Sequence, residues 1–353
     1  MQHDGLVRQG RRVVYAMGAT GLDCILEVAK YPERDEKIRA SSYISRGGGN
    51  AANTATAISR LCPGQVIVRI LSKIGGIDDP AAIQIMSELR RDAVDTEYLF
   101  SSSNRLCSSP QTYIINDMET NSRTCIHVPM EEELTPEDIG TIEKDILETA
   151  HFIHLDSRHT NAAIHLANKA LEAGVPLSLD IEKYRPGAAD LLKLCDIIFT
   201  NEKFPGLFES QTVQELCADR EVQGVAEAMD VSPRVIAGMM GILANGRTHV
   251  VVTTMGSHGA LLLRREGDED WDRLKNCIRL PFTFDEMDNA IYPGMFDAIS
   301  YPLSRKDFEI SPTKSVFARS SAPFSLFKCP VWPHQSRPIV DSTGAGDSFI
   351  GKQ

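Results

Sequence analysis

Short β-branched runs alternate with amphipathic stretches of helical length along most of this chain, and this alternation restricts the fold more than any other feature. Apolar runs lie at residues 12–16, 66–71, 152–155, 175–179, 197–200 and 250–253. Helical stretches lie between them, at 51–61, 80–92, 136–148, 161–173, 188–194 and 232–244. Strands that alternate with helices of this length predict a mostly parallel sheet with helices on both faces. The expected architecture is a three-layer α/β/α sandwich.

Three segments interrupt this rhythm. Strand-like pieces at 24–28 and 37–43, and a hairpin pattern at 112–128, predict a small β lid formed by residues from about 23–45 and 112–128. From 265 to 337 the chain is rich in Pro, Ser and charged residues, and its aromatic residues have no steady period. A stretch of this length without periodicity is uncommon inside a domain. We interpret it as an atypical, partly disordered insertion.

Composition excludes several classes of protein. The 353 residues include 37 Lys and Arg against 48 Asp and Glu, so the formal net charge is −11. This balance predicts that neither a nucleic acid nor a membrane is the main partner. The eight cysteines contain no C-x-x-C pair, which is typical of reduced thiols in the cytosol, and residues 1–12 lack the apolar core of a secretory signal. We therefore expect a soluble, cytoplasmic protein.

A glycine-rich motif near the C-terminus has the composition of an anion-binding turn. It reads Asp-Ser-Thr-Gly-Ala-Gly-Asp-Ser-Phe over residues 341–349 and follows a short apolar run. The small residues Gly344, Ala345 and Gly346 allow main-chain N–H groups to approach an oxyanion, and a helix beginning there would add its positive end. Asp347 would then place a carboxylate beside that anion. This combination suits phosphoryl transfer to a hydroxyl; a glycine-rich turn with Asp347 as a helix cap is the open alternative.

A second motif, Arg-Gly-Gly-Gly-Asn-Ala-Ala-Asn, covers residues 46–53. Gly48 and Gly49 permit close backbone approach, and the small residues that follow them predict the start of a helix. Asn50 and Asn53 offer amide donors and acceptors of the kind that bind sugar hydroxyls. Helix capping and packing would explain the same residues without any ligand.

Two carboxylates lie on the expected lid. Asp23 follows the first strand, and Asp35 lies in the charged segment Tyr-Pro-Glu-Arg-Asp-Glu-Lys at 31–37. A carboxylate can accept hydrogen bonds from two neighbouring hydroxyls, so both are candidates for binding a vicinal diol. The alternative is that they only face solvent.

Together, the two motifs resemble the two signatures of the PfkB/ribokinase family of carbohydrate kinases, in the family's order and with its long separation. The resemblance covers residues 12–264 and 338–351. Within the family it is greatest to the ketohexokinase (fructokinase) branch, through stretches at 30–39, 113–116, 121–124, 153–155 and 181–183. It implies a ribokinase-like fold and one PfkB carbohydrate kinase domain over residues 12–351.

The resemblance also implies catalytic and sugar-binding roles. Asp347 matches the family's catalytic base, and the Gly344–Gly346 segment, with Ala345 at its centre, matches the anion hole. The positions that match sugar-binding residues are Asp23, Gly48, Gly49 and Asn53. An ATP-dependent kinase acting on a ketohexose such as fructose, with Mg²⁺ bridging the phosphates, is the activity that it implies.

Further roles concern the nucleotide, the phosphate and the subunit partner. Thr254, Gly256 and Gly259 match a nucleotide-binding turn. Asn201 stands where the family often has Asn-x-x-Glu, although here Glu202 follows directly. The resemblance makes Asp35 a carboxylate that reaches a neighbouring subunit's site and Arg123 a basic residue near the transferring phosphate. A homodimer through the β lid is therefore expected.

The chain ends at Gln353, six residues past Asp347, where family members continue with further elements. We therefore expect a C-terminally truncated domain with weakened nucleotide binding. Two alternatives stay open: a kinase of the same fold acting on ribose, a sugar acid or a nucleoside, and an inactive remnant that binds sugar or nucleotide.

Overall fold

The structure is a computed structural model that describes residues 11–208, 210–265, 301–303, 309–311, 316–318 and 324–329. The described residues fall into two units, one with the residues up to Leu166 and the other with the residues from Ala167 onward, so this boundary falls inside a helix. The predicted α/β fold with a mostly parallel sheet is confirmed, because the strands at the centre of each unit run parallel.

The first unit alternates strands and helices after an initial β excursion. Its strands are β1 (Arg12–Met17), β2 (Gly21–Val28), β3 (Ala40–Gly48), β4 (Val66–Ile74), β5 (Val94–Asp95), β6 (Leu99–Ser101), β7 (Gln111–Asp117), β8 (Ser122–Val128) and β9 (Phe152–Leu155). Its helices are α1 (Asn50–Leu61), α2 (Pro80–Arg91), α3 (Pro136–Gly140), α4 (Glu143–Thr149) and the start of α5 (Thr160–Ala173).

Two sheets form in this unit. The main sheet has the parallel order β5-β4-β1-β9, with β6 also beside β4. The excursions predicted to form a lid form a separate four-stranded sheet in the order β3-β2-β7-β8. Helix α1 buries mainly small residues against the main sheet, which brings its backbone close to β1 and β4. The start of α1 and strand β2 of the lid sheet are therefore held by the same core, to which Ala51, Leu22 and Cys24 belong.

The second unit continues the alternation. Its elements are β10 (Leu177–Ile181), α6 (Ala188–Leu194), β11 (Ile197–Asn201), α7 (Gln211–Ala218), α8 (Arg220–Ala228), α9 (Pro233–Ala244), β12 (Val250–Thr254), β13 (Ala260–Arg265), β14 (Tyr301–Leu303), β15 (Glu309–Ser311), β16 (Val316–Ala318) and β17 (Phe324–Cys329). Strands β10, β11 and β12 are parallel, whereas β13, β17 and β14 continue their sheet in antiparallel pairings.

The structure corrects three expectations about individual elements. Residues 136–148 form two helices instead of one, because Thr141 and Ile142 make hydrogen bonds to the residue three positions earlier, directly after Gly140. The strand expected at 175–179 begins only at Leu177, since Pro176 has no N–H for the ladder. Helices α7 and α8 were not anticipated.

The stretch 265–337, interpreted as an insertion, lies largely outside the described residues. Its described parts are the four short strands β14 to β17. Among the helices that can be described, none has both the length and the apolar character needed to cross a bilayer.

Candidate functional site

The carboxylate of Asp23 lies directly against the backbone of Gly48. Strands β2 and β3 pair antiparallel, with Asp23 opposite Arg46 and Gly48 opposite Gly21. A Cβ atom added to Gly48 would lie 2.1 Å from Oδ2 of Asp23, so no larger residue fits while the carboxylate keeps its place. Asp23 is only 8% exposed. Glycine at position 48 thus allows a nearly buried carboxylate to stand beside the second motif.

The rest of that motif forms the first turn of α1. Gly49 is the N-cap residue, with φ 98° and ψ 142°, and an added Cβ would lie 2.4 Å from the carbonyl oxygen of Ala19. Asn50 and Asn53 follow in the first turn, and both are half-buried. The structure therefore brings together Asp23, Gly48, Gly49, Asn50 and Asn53 at the junction of β3, β2 and α1. Carboxylate and amide groups at one place can bind several hydroxyls of one polyol.

The structure places two other lid residues farther away. Asp35 is exposed, in a turn between β2 and β3, with a left-handed φ of 64°. Arg123 is exposed on β8. Asp23 of β2 pairs with Thr112 of β7, which in turn pairs with His127 of β8, so these three residues lie in one row across the sheet. Arg123 is four residues from His127 on β8. Arg123 thus shares the lid face of Asp23 but is displaced along the strand by about 13 Å.

A buried carboxylate that the sequence analysis missed lies beside these residues. Asp156 follows β9 and is 4% exposed. Its Oδ2 atom accepts hydrogen bonds from the N–H groups of Ala19 (2.7 Å) and Ala51 (3.0 Å), and Oδ1 accepts one from Arg158 N–H (3.0 Å). Burial raises the pKa of Asp156, and these three donors, which stabilise the charged form, oppose that rise. The one available sequence signal was an Asp placed directly after an apolar strand.

In the second unit, the residues predicted to bind nucleotide lie where two parallel strands end. Asn201 is the last residue of β11 and Thr254 the last of β12, and the two are register partners. The Asn201 side-chain oxygen accepts hydrogen bonds from the N–H groups of Lys203 (3.1 Å) and Phe204 (3.0 Å). That oxygen therefore shapes the turn after β11. The carboxyl ends of parallel strands are where ligands bind in α/β sheets.

The turn after β12 contains the two predicted glycines. Gly256 begins a short 3₁₀ segment (Gly256–His258) with φ 54°, and an added Cβ would meet no heavy atom within 4 Å. Gly259 has φ 87°, and its carbonyl oxygen accepts a hydrogen bond from Met255 N–H at 2.7 Å. The open space at Gly256 leaves the backbone of this turn accessible to a ligand.

The predicted anion hole and base, Gly344, Ala345, Gly346 and Asp347, lie outside the described residues. Within the described part of the chain, no group of three or more His, Cys, Asp or Glu side chains could hold a metal ion. The roles of the C-terminal motif therefore remain predictions from the sequence.

Comparison with protein families gives one match that covers more than half of the chain. The model described as pfkB family carbohydrate kinase matches residues 12–275. Among curated proteins, an ATP-dependent ribose-1-phosphate kinase of Halopiger xanaduensis is 29% identical over 196 residues, which are 54% of this chain and 62% of that protein. A ketohexokinase of Mus musculus is 26% identical over 197 residues, which are 54% of this chain and 63% of that protein. The matched region thus spans less than two thirds of these relatives.

Solved structures with related folds include two ribokinases. The structure of ribokinase from Giardia lamblia superposes with a TM-score of 0.60 at 14% identity, covering 97% of this chain and 80% of that one. Arabidopsis thaliana ribokinase, solved in complex with ribose and ATP, has a TM-score of 0.52 at 18% identity and covers 73% of this chain and 76% of that one. At these identities the likeness establishes the ribokinase-like α/β fold.

Proposed function

The chain belongs to the pfkB family of carbohydrate kinases, and on that premise we propose that it transfers the γ-phosphate of ATP to a sugar hydroxyl. The observation that carries the proposal is the carboxylate of Asp23 packed on Gly48 beside the first turn of α1. A nearly buried carboxylate next to two asparagines is suited to holding vicinal hydroxyls in one orientation. We assign the reaction to the cytoplasm.

The proposed mechanism assigns roles to four groups of residues. Asp23, Asn50 and Asn53 bind the sugar and orient the hydroxyl that is to be phosphorylated. Asp347 takes the proton of that hydroxyl as its oxygen bonds to the γ-phosphorus and the bond from that phosphorus to the bridging oxygen of ATP breaks, which releases ADP. The main-chain N–H groups of residues 344–346 stabilise charge on the transferring phosphoryl group. Arg123 lies on the same lid face as Asp23, about 13 Å further along the sheet, and adds positive charge to that face.

The nucleotide is assigned to the strand ends of the second unit. The turn with Gly256 and Gly259 would take the nucleotide, with Asn201 and Thr254 at the neighbouring strand ends. This assignment is supported by the accessible backbone at Gly256. Mg²⁺ would arrive with the nucleotide phosphates and neutralise part of their charge.

We propose a ketohexose such as fructose as the acceptor, on the likeness of the lid segments to the ketohexokinase branch. A second candidate is ribose, which is favoured by the ribokinases among the similar structures. The two sugars differ in the number and placement of their hydroxyls. The Asp23 carboxylate would therefore bind a different pair of hydroxyls in each sugar.

A coupled assay of ADP release with a panel of acceptors tests the proposed function. The panel contains fructose, ribose, ribose 1-phosphate, a sugar acid and a nucleoside, each with ATP and Mg²⁺. We expect fructose to have the highest kcat/KM, at least tenfold above the others. A higher value for ribose or another acceptor would transfer the assignment to that substrate. No turnover with any acceptor, together with measurable sugar binding, would support an inactive binding protein instead.

The partner surface is proposed to be the exposed part of the lid-sheet face opposite to Asp23, beyond the place where α2 packs on that face through Ser45 and Gln84. Strand alternation puts Tyr43, Tyr113 and Ile126 on the face opposite to Asp23, where they are 60%, 40% and 50% exposed. Exposed aromatic and β-branched side chains on one sheet face are typical of a protein interface. We propose that this face pairs with a second copy of the chain and that Asp35 reaches the partner's sugar site.

Replacing Tyr43 and Ile126 together by serine is expected to convert a dimer into a monomer of 38.9 kDa. The change removes much of the apolar area that would be buried on association. Light scattering coupled to size-exclusion chromatography measures the mass, and Ile83→Ser, an equally exposed site on α2, is the matched control. A wild-type monomer, or a double variant that stays dimeric, would refute the lid interface.

A further inference from the structure

We propose that Asp156 is a positioning residue of the sugar site, because its carboxylate ties the start of α1 to the turn between β1 and β2. The turn leads into β2 and Asp23, and α1 carries Asn50 and Asn53. The proposal rests on the proposed function in one respect, since it takes these residues as the ones that hold the sugar.

The first argument is that α1 lacks a cap of its own. Gly49, the N-cap residue, has no side chain, and the first turn contains no acidic residue. The first N–H groups of a helix have no partner within the helix and need an acceptor. Asp156 supplies that acceptor to Ala51 from a position 105 residues further along the chain, and its charge faces the positive end of the helix.

The second argument is that one oxygen atom holds both structural elements. Oδ2 of Asp156 accepts hydrogen bonds from Ala19 N–H at 2.7 Å and from Ala51 N–H at 3.0 Å. Ala19 lies in the turn before β2, and Ala51 lies directly after Asn50. The shared acceptor therefore fixes the distance between the two N–H groups, together with a longer hydrogen bond from Ala52 N–H to the carbonyl oxygen of Ala19 (3.3 Å). A displaced Asp156 would move the asparagines of α1 relative to Asp23.

The third argument is that the surroundings force the carboxylate into this place. A Cβ added to Gly18 would lie 1.9 Å from Oδ1 of Asp156, and Gly18 has φ 151°, so only glycine fits there. After Asp156, Ser157 and His159 both adopt left-handed backbone conformations, with φ 64° and 52°. Residues with side chains are held in such conformations mainly where the surrounding structure has a use for them.

The test compares Asp156→Ala, the conservative Asp156→Asn and Gly18→Ala with wild-type protein. Gly18→Ala leaves Asp156 in the sequence but displaces its carboxylate. It therefore shows whether the effect depends on where the carboxylate lies or only on its presence in the chain. Asp196→Ala is the matched control. Asp196 is a fully buried carboxylate in the second unit that accepts hydrogen bonds from Leu177 N–H and Arg247 Nε, both at 2.7 Å. Its loss should lower stability without touching α1.

The first measurement is amide hydrogen exchange by mass spectrometry on the peptide that contains residues 49–53. We expect exchange at least tenfold faster in Asp156→Ala and Gly18→Ala, an intermediate rate in Asp156→Asn, and the wild-type rate in Asp196→Ala. Wild-type exchange in Asp156→Ala, or equally fast exchange in Asp196→Ala, would overturn the proposal. This measurement does not depend on which sugar the protein phosphorylates.

The second measurement is the affinity for fructose and for the ATP analogue AMP-PNP, by calorimetry at a temperature where every variant is folded. A positioning role predicts about tenfold weaker fructose binding in Asp156→Ala and a change below twofold for AMP-PNP. Equal losses for the two ligands would show a purely structural role and refute the proposal. Failure of the wild-type protein to bind fructose would count against the proposed acceptor, and the exchange rates would still decide whether Asp156 fixes α1.

Discussion

Replacing Asp347 by asparagine is expected to lower kcat for sugar phosphorylation by about 10³-fold, within the range that a general base contributes. Asparagine has nearly the size and shape of aspartate, but its amide cannot accept the proton of the attacking hydroxyl. Because the residue is proposed to act on a proton and not to hold either substrate, KM for sugar and for ATP should change only a few-fold. Steady-state rates with both substrates varied measure these quantities.

The control for this prediction is Asp190→Asn, which makes the same chemical change on α6. The Asp190 carboxylate is 65% exposed and pairs with Lys193. An exposed pair contributes little to stability, so this variant should keep kcat within twofold of the wild-type value. If Asp347→Asn also keeps near-wild-type turnover, Asp347 is not the base, and the mechanism proposed for the C-terminal motif is wrong.

Where the local sequence pattern is strong, the first and last residues of an element could be predicted from the sequence. β9 and α6 were expected at 152–155 and 188–194, and the structure has both at these bounds. α6 begins after Gly187, which adopts the left-handed conformation, and its apolar residues face the core. Where the local pattern was ambiguous, prediction failed. The break between α3 and α4 depends on hydrogen bonds at Thr141 and Ile142 that no periodicity reveals.

In the candidate site too, local motifs could be found from the sequence, whereas contacts between residues far apart in the chain could not. Glycine at position 48 indicated that something approaches the backbone closely, but only the pairing of β2 with β3 identifies Asp23 as the neighbour. Asp156 could not be found by any spacing rule, because it caps a helix more than a hundred residues earlier in the chain. A contact of this kind depends on the order of β4, β1 and β9 in the sheet, which the sequence restricts but does not state.

Replacing Asp23 by asparagine is expected to weaken sugar binding by about 10²-fold and to leave nucleotide affinity unchanged. The carboxylate can accept hydrogen bonds from two hydroxyls, whereas the amide has one acceptor oxygen and one donor nitrogen, so one of the two hydroxyls could no longer donate and would have to turn to accept from the amide. Hydrogen bonds to a charged group contribute about 1.5–3 kcal/mol, and both hydroxyls would lose the charged acceptor in a nearly buried position. Calorimetric titration with fructose and with AMP-PNP measures both affinities.

Gly48→Ala tests the same contact from the other side. Its methyl group would lie 2.1 Å from Oδ2 of Asp23, so the carboxylate must move away although the residue is still present. We expect a loss of sugar affinity close to that of Asp23→Asn, and the double variant should lose little more, because both changes disrupt one contact. Asp117→Asn, at a 7% exposed lid carboxylate that accepts a hydrogen bond from Glu119 N–H, is the control for lid stability. If this control weakens fructose binding as much as Asp23→Asn does, the loss reflects a loosened lid, and Asp23 has no direct part in holding the sugar.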